Sequence, residues 1–238
     1  MPEYEDLEQE EWLIRENWIA EEKMPGNESL FALANGYLGI RGTLEENSYA
    51  YQIGTYINGF YDINPLQYDE TAYGYAKNSQ TMLNLPDGRY LTFYLDDEPF
   101  DITQGAISYH NRWLDLRRGI LFREAEWQSP SGRAVRLYSE RIVSLTRPYC
   151  AAIKYTVEPL QEGSFLRIVS MLDGNVRVLS TAEDPRTGSR LGGAALRPCG
   201  GKRQDPGGVL SARPKACGLA LPTAVTHSWA GLKELVSR

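Results

Sequence analysis

The feature that most constrains this chain is a strict alternation of side chains between residues 135 and 145. Val135, Leu137, Ser139, Arg141, Val143 and Leu145 fall on one side, and Arg136, Tyr138, Glu140, Ile142 and Ser144 on the other. A period of two belongs to a strand on a sheet, because successive side chains leave opposite faces. The first set is apolar at both ends and polar in its middle. Ala151, Ile153, Tyr155 and Val157 repeat the pattern against Ala152, Lys154 and Thr156, and residues 165–170 make a third short run. Turn residues stand between them: SPSGR at 129–133, TRP at 146–148 and EPLQEG at 158–163. Strands so spaced predict an all-β fold, an antiparallel β-sandwich.

The first half is less regular. Residues 12–19, 51–61 and 90–95 are expected as further strands. Between them, NPLQYDETAYGYAKNS at 64–79 is polar, aromatic and without period. It is expected to be a long loop, and long loops in compact domains are often functional. Few helices are expected, and none is placed. A chain of 238 residues with 42% hydrophobic content can bury a core without disulfides or metals.

Charge excludes some functions. The net charge of −6 argues against a general nucleic-acid binder. The start, PEYEDLEQEE, lacks the basic and apolar regions of a secretory signal. No apolar run approaches the roughly 18 residues of a membrane span. Cys150, Cys199 and Cys217 are an odd number without zinc spacing, so neither a disulfide framework nor a metal site is expected. The default location is the cytoplasm.

Character changes near residue 192. The chain before it is acidic and rich in aromatics; after it basic residues outnumber acidic ones, and Trp229 is the only aromatic. Glycine and proline recur without an evident period. Two domains are therefore expected: 1–191, an ordered β-sandwich, and 192–238, an irregular, disordered low-complexity tail. A shifted reading frame is the expected origin of that tail.

Individual motifs have ordinary structural readings. Gly36, Gly39 and Gly42 recur in GYLGIRG, but the spacing is not that of a phosphate-binding loop, so they mark bulges or close backbone approach. Arg41 then sits on the sheet or reaches a carboxylate. In LDLRRG, Asp115 and Arg117 share a strand face and are expected to pair. Asp96, Asp97 and Glu98 precede Pro99 as a solvated hairpin tip. Asp62 and Asp69, in or near the aromatic loop, are the better candidates for a sugar contact. His110, one of two histidines, neighbours Trp113 and is expected to be structural. Cys150 is expected to be a buried small hydrophobe.

Three segments, ESLFALANGYLGIRG at 28–42, LDLRRG at 114–119 and PSGRAVRLYSERIVSLTR at 130–147, follow one another in an order that resembles the N-terminal domain of glycoside hydrolase family 65. That family holds the maltose, trehalose and kojibiose phosphorylases and the acid trehalases. The resemblance covers roughly residues 12 to 190. It implies a galactose-mutarotase-like supersandwich that precedes an (α/α)6 catalytic barrel. In the barrel a glutamate protonates the glycosidic oxygen of a disaccharide, and inorganic phosphate or water attacks. The sandwich is implied to pack on the barrel, to lend its mouth a loop, for which residues 64–79 are the candidate, and to help form a homodimer. Members are several times longer, so the chain is expected to be truncated and inactive alone. No catalytic, cofactor-binding or metal-binding residue is carried over. The alternative is a stand-alone carbohydrate-binding module. A small mutarotase-type enzyme would need an acid and a base, and His110 is the only histidine in the expected sandwich.

Overall fold

Alternation becomes strand wherever one of its faces finds a partner. The structure, a computed structural model, describes residues 11–66, 72–177, 193–194 and 196–231. The first strands in order are β1 (Leu13–Glu16), β2 (Leu33–Ala34), β3 (Leu38–Ile40), β4 (Thr55–Ile57), β5 (Tyr61–Pro65) and β6 (Asn78–Met82). Next come β7 (Asp87–Leu95), β8 (Glu98–Pro99), β9 (Ala106–Asp115), β10 (Ile120–Gln128) and β11 (Ala134–Val143). The last are β12 (Ala151–Pro159), β13 (Leu166–Asp173), β14 (Leu196–Gln204), β15 (Gly207–Pro214) and β16 (Leu221–Thr226). The architecture is all-β.

One short helix, α1 (Met24–Leu30), follows a 3-10 turn at Glu21–Lys23. The sequence reading missed it. Seven residues show no helical period, but Pro25 stands in its first turn, where a missing N–H costs nothing.

The chain divides into two units. The first comprises residues 1–53 and 91–170. Its main layer is a five-stranded sheet in the order β1-β9-β10-β11-β12, whose neighbours all pair antiparallel. A second layer is built from residues 91–95 of β7, β8, and residues 166–170 of β13. Phe93, Leu95 and Phe100 from that layer pack on Ala125, Trp127, Val135 and Leu137 of the main sheet. Phe93 stacks on Phe100 at 4.5 Å, and Trp127 meets Phe100 edge-on at 5.3 Å. The indole N–H donates to the carbonyls of Asp101 and Gln104, so the buried ring keeps its polar atom satisfied. This is the expected sandwich core. On β11 the buried positions are Val135, Leu137, Ser139, Arg141 and Val143, the alternation visible in the sequence. Leu145 lies past the end of the strand and is 80% exposed.

The second unit comprises residues 54–90 and 171–238. It holds the hairpin β5-β6 and the antiparallel sheet β14-β15-β16. Its core is Phe60, Leu83, Leu85, Val176, Leu196 and Ala212, with Ile57 and Leu221 against it. This corrects the expectation of an irregular segment after residue 192: residues 196–226 supply three strands and part of a core. Leu221, Thr223 and Val225 do alternate inward against Pro222, Ala224 and Thr226. The period was hidden by small residues, and burial against large side chains earlier in the chain makes up for their size. Nor does residue 192 divide the units.

Other boundaries shift for local reasons. Strand 12–19 contracts to β1, and 51–61 resolves into β4 and the start of β5. The loop expected at 64–79 is bounded by β5 and β6; residues 67–71 lie outside the described residues.

Trp127→Ala should lower the stability of the first unit by about 3–5 kcal/mol, the cost of a cavity of that size. Leu145→Ala, on an exposed ring of turn residues, should change it by less than about 0.5 kcal/mol. Urea unfolding followed by circular dichroism measures both, and equal losses would show that this core does not carry the fold.

Candidate functional site

The densest concentration of chemistry-bearing side chains lies inside the first unit, on the inward face of the five-stranded sheet. Arg112 on β9 stands directly across from Arg123 on β10, and Arg141 on β11 lies opposite Leu121. All three are essentially buried, as are Glu45 and Glu46 in the segment that follows β3 and Glu16 at the end of β1. Like charges opposite one another on a sheet repel. Here carboxylates stand between them.

Arg123 forms a fork to Glu46, Nη1 to Oε2 at 2.7 Å and Nη2 to Oε1 at 2.8 Å, and Nη1 also reaches Glu45 at 3.2 Å. Arg141 Nη2 lies 2.6 Å from Glu45 Oε1 and 2.9 Å from the Thr43 carbonyl, and Nη1 donates to the Arg41 carbonyl. Arg112 Nη1 donates to the Gly42 carbonyl at 2.6 Å, while Nη2 lies 2.7 Å from Glu16 Oε2. Its guanidinium also covers the Phe31 ring at 4.3 Å. Asn27 donates to the other oxygen of Glu16. The three arginines thus hold residues 41–46 against the sheet, by backbone carbonyls and carboxylates together.

The glycine of this segment has a steric reason. A Cβ on Gly42 would stand 2.6 Å from Phe31 Cβ and 2.7 Å from its carbonyl carbon. Close backbone approach, as the sequence suggested, is what Gly42 provides. Arg41 does reach a carboxylate, Glu28, at 3.2 Å. Glu28 is fully buried and also accepts the N–H groups of Tyr51 and Gln52.

Electrostatics set the protonation states. Burial alone would push the Glu45 carboxyl up, but the Arg141 and Arg123 guanidiniums outweigh it and hold it down to about 2. His110 is pushed down to about 2, first by burial and then by the charges of Arg123 and Arg112, against the pull of Glu45. It is therefore neutral and accepts the Arg123 Nε–H at Nε2, 3.3 Å away. Arg123 is held above its ordinary value because Glu46 and Glu45 outweigh its own burial. A glycosidic proton donor needs the opposite, a carboxyl raised toward neutrality.

The remaining candidates disperse. Asp62 is fully buried, and its carboxylate accepts the Ala216 N–H at 3.2 Å, so it anchors a turn of the second unit. Asp69 lies outside the described residues. Asp115 pairs with Arg118 at 3.5 Å and not with Arg117, because the strand ends at Asp115 and a turn brings the third residue back. Arg117 lies over Trp12. Asp96 and Asp97 turn the β7-β8 hairpin with φ of 49° and 70°. Asp96 is not merely solvated: it accepts the Phe165 N–H and pairs with Arg133. Cys150 is exposed, which corrects its expected burial, since it closes the turn before β12 through its carbonyl to Ser144. Among the described residues no group of histidine, cysteine and carboxylate side chains is arranged to hold a metal ion, and no helix is long and apolar enough to cross a membrane.

Sequence reasoning missed Glu45, Glu46, Arg112 and Arg123. One signal was present: Ser139 and Arg141 occupy the middle of an otherwise apolar strand face, and a buried arginine demands carboxylates nearby.

The family model for the N-terminal domain of glycosyl hydrolase family 65 matches residues 14–234, and the chain belongs to that family. The match runs well beyond residue 192, which removes the reason for expecting a change of reading frame there. An alpha,alpha-trehalose phosphorylase of Thermoanaerobacter brockii is 43% identical over 192 residues, 79% of this chain and 25% of that protein. An uncharacterized glycosyl hydrolase of Mycobacterium tuberculosis is 38% identical over 218 residues, 92% of this chain and 28% of its own length. A solved human-microbiome structure assigned as a kojibiose phosphorylase shares the fold with a TM-score of 0.74 at 22% identity, covering 91% of this chain and 27% of that one. The chain thus spans about a quarter of the length of these relatives.

The two depressed groups make stability depend on pH. Each is held below its ordinary value, 6.5 for His110 and 4.5 for Glu45, so the unfolded chain binds more protons as pH falls. The stabilisation is complete above those values and is lost on acidification toward 2, with His110 acting first and Glu45 adding below 4.5. The unfolding free energy from urea titration should therefore fall already between about pH 6.5 and pH 5, by roughly 1 kcal/mol per pH unit. His110→Gln should flatten that arm and leave the steeper one below pH 4.5. An unchanged profile would refute the assignment.

Arg123→Ala should cost about 3–5 kcal/mol, since it leaves buried carboxylates uncompensated. Arg136→Ala, whose partner Glu126 is reached on the surface, should cost far less. Denaturant titration at neutral pH compares the two.

Proposed function

We propose that this chain forms the N-terminal, non-catalytic domain of a family 65 disaccharide phosphorylase of the trehalose type. In that reading phosphate is the attacking co-substrate, and the proton donor lies in the part of the relatives that this chain does not span. Identity to the trehalose phosphorylase supports this choice over kojibiose, since a kojibiose phosphorylase of Halothermothrix orenii is 31% identical over 169 residues. The domain's part is to pack on the catalytic domain, to shape the mouth of its active site and to support a homodimer.

The observation that carries the reading is the fate of the buried carboxylates. Glu16, Glu28, Glu45, Glu46 and Asp87 each face an arginine, and Asp62 is held by backbone N–H groups. Phosphorolysis needs a protonated acid at the leaving oxygen and a pocket that aligns phosphate with the anomeric carbon. Carboxylates held in ion pairs beside guanidiniums serve structure.

Purified alone, the chain should give no glucose 1-phosphate and no free glucose from trehalose, kojibiose or maltose, with or without phosphate. Exchanged for the corresponding domain of the Thermoanaerobacter brockii trehalose phosphorylase, it should leave phosphate-dependent trehalose cleavage within about tenfold, as a domain outside the chemistry would. Turnover by the chain alone, abolished on replacing one of its carboxylates, would overturn the reading. A folded chimera without activity would overturn the trehalose assignment.

A further inference from the structure

We propose that the cleft beside the open half of β9 binds a neutral hexose. β1 pairs with β9 only from Arg112 to Asp115. The preceding half of β9, from Ala106 to Asn111, has no strand on that side among the described residues. Into this gap the chain turns Asn17 and Trp18 immediately after β1. The result is a shallow cleft of about 190 Å³ lined by Asn17, Trp18, Ser108, Tyr109, His110 and Asn111.

The chemistry of the lining selects the ligand. No charged side chain is present, in a chain of which 24% of residues are charged. Phosphorylated sugars, nucleotides, metal ions and charged peptides find no counter-charge there. Trp18 is 60% exposed and Tyr109 45% exposed, so two aromatic rings stand in water at the cleft. A pyranose has one face of C–H groups, suited to an aromatic ring, and a rim of hydroxyls that both donate and accept. Asn17, Ser108 and Asn111 supply uncharged partners of both kinds. The volume suits a single ring and not an extended chain.

A second observation points the same way. His110 is 2% exposed, and its Nε2 is occupied as an acceptor by Arg123, which leaves the proton on Nδ1. Nδ1 has no hydrogen-bond partner, and neither has Asn111 Oδ1. One buried donor and one buried acceptor, on consecutive residues of the cleft, are thus unmatched. Such groups are costly to leave so. Consecutive side chains leave opposite faces of the strand, so the two groups flank its open edge and would be met by separate hydroxyls on the rim of one ring.

This inference does not depend on the phosphorylase reading, because it concerns binding and not turnover. Glucose, trehalose and glucose 6-phosphate are titrated into the purified chain, with saturation-transfer NMR on the sugar and tryptophan fluorescence as readouts. Glucose should saturate with a Kd of about 1–10 mM, the range for a ligand of a dozen heavy atoms in an open site. Glucose 6-phosphate should bind no more tightly. Trp18→Ala should weaken binding at least tenfold and Asn111→Ala several-fold. Trp12→Ala, an exposed ring outside the cleft, should leave it unchanged. Trp18 is largely in solvent, so its variant should unfold at the same urea concentration as the parent. Absence of saturation by about 100 mM glucose would overturn the proposal, as would binding that Trp18→Ala leaves intact. A concentration-dependent dimer abolished by Trp18→Ala, without sugar binding, would overturn it in favour of strand pairing at this edge.

Discussion

Three buried arginines hold the first unit in its form. Arg112, Arg123 and Arg141 rise from neighbouring strands of one sheet, and without carboxylates among them they would repel in a medium that cannot screen charge. Glu16, Glu45 and Glu46 balance them one for one. Glu45 lies between two arginines, so removing any one member strands another. Ions of this kind add little net stability over a well-packed apolar core, because desolvation consumes most of the attraction. What they add is direction. Apolar contact would let residues 41–46 slide over the sheet, whereas forked hydrogen bonds to their carbonyls and carboxylates admit one register.

That clamp explains why the three recognisable segments of this sequence occur together. ESLFALANGYLGIRG ends in the backbone the arginines grasp, and Glu28 within it captures Arg41 and the N–H groups of Tyr51 and Gln52. LDLRRG closes β9, the strand that carries Arg112, and its Asp115 stabilises the turn into β10. PSGRAVRLYSERIVSLTR contains Arg141. A segment docked by its main chain, with glycine where Phe31 comes within contact, tolerates little change. The motif is thus a record of packing.

How much could be read beforehand depended on whether the relevant interaction is local. The alternation in β11 and β12 was legible because side-chain period is a property of consecutive residues. The sequence also pointed correctly to the tight approach at Gly42 and a carboxylate partner for Arg41. Asp115 was paired with the wrong arginine, since two residues' difference between strand and turn geometry decides which guanidinium returns. Cys150 was expected inside on an apolar context that its turn places in solvent. The β14-β15-β16 sheet was passed over because glycine and small residues mask the period, and its inward side chains acquire value only against Phe60, Leu83 and Leu85.

The sequence by itself determined that this chain folds from antiparallel strands and to which family its motifs belong. Hydrophobic alternation and short motifs are carried by neighbours along the chain, so no fold is needed to see them. Only the tertiary structure decided which charges meet. Glu45 and Glu46 reach Arg123 and Arg141 across most of a hundred residues, and the open half of β9 becomes a cleft only because β1 stops at Glu16. Both depend on strand order and register, which hydrogen bonding between distant segments sets and which no local pattern encodes.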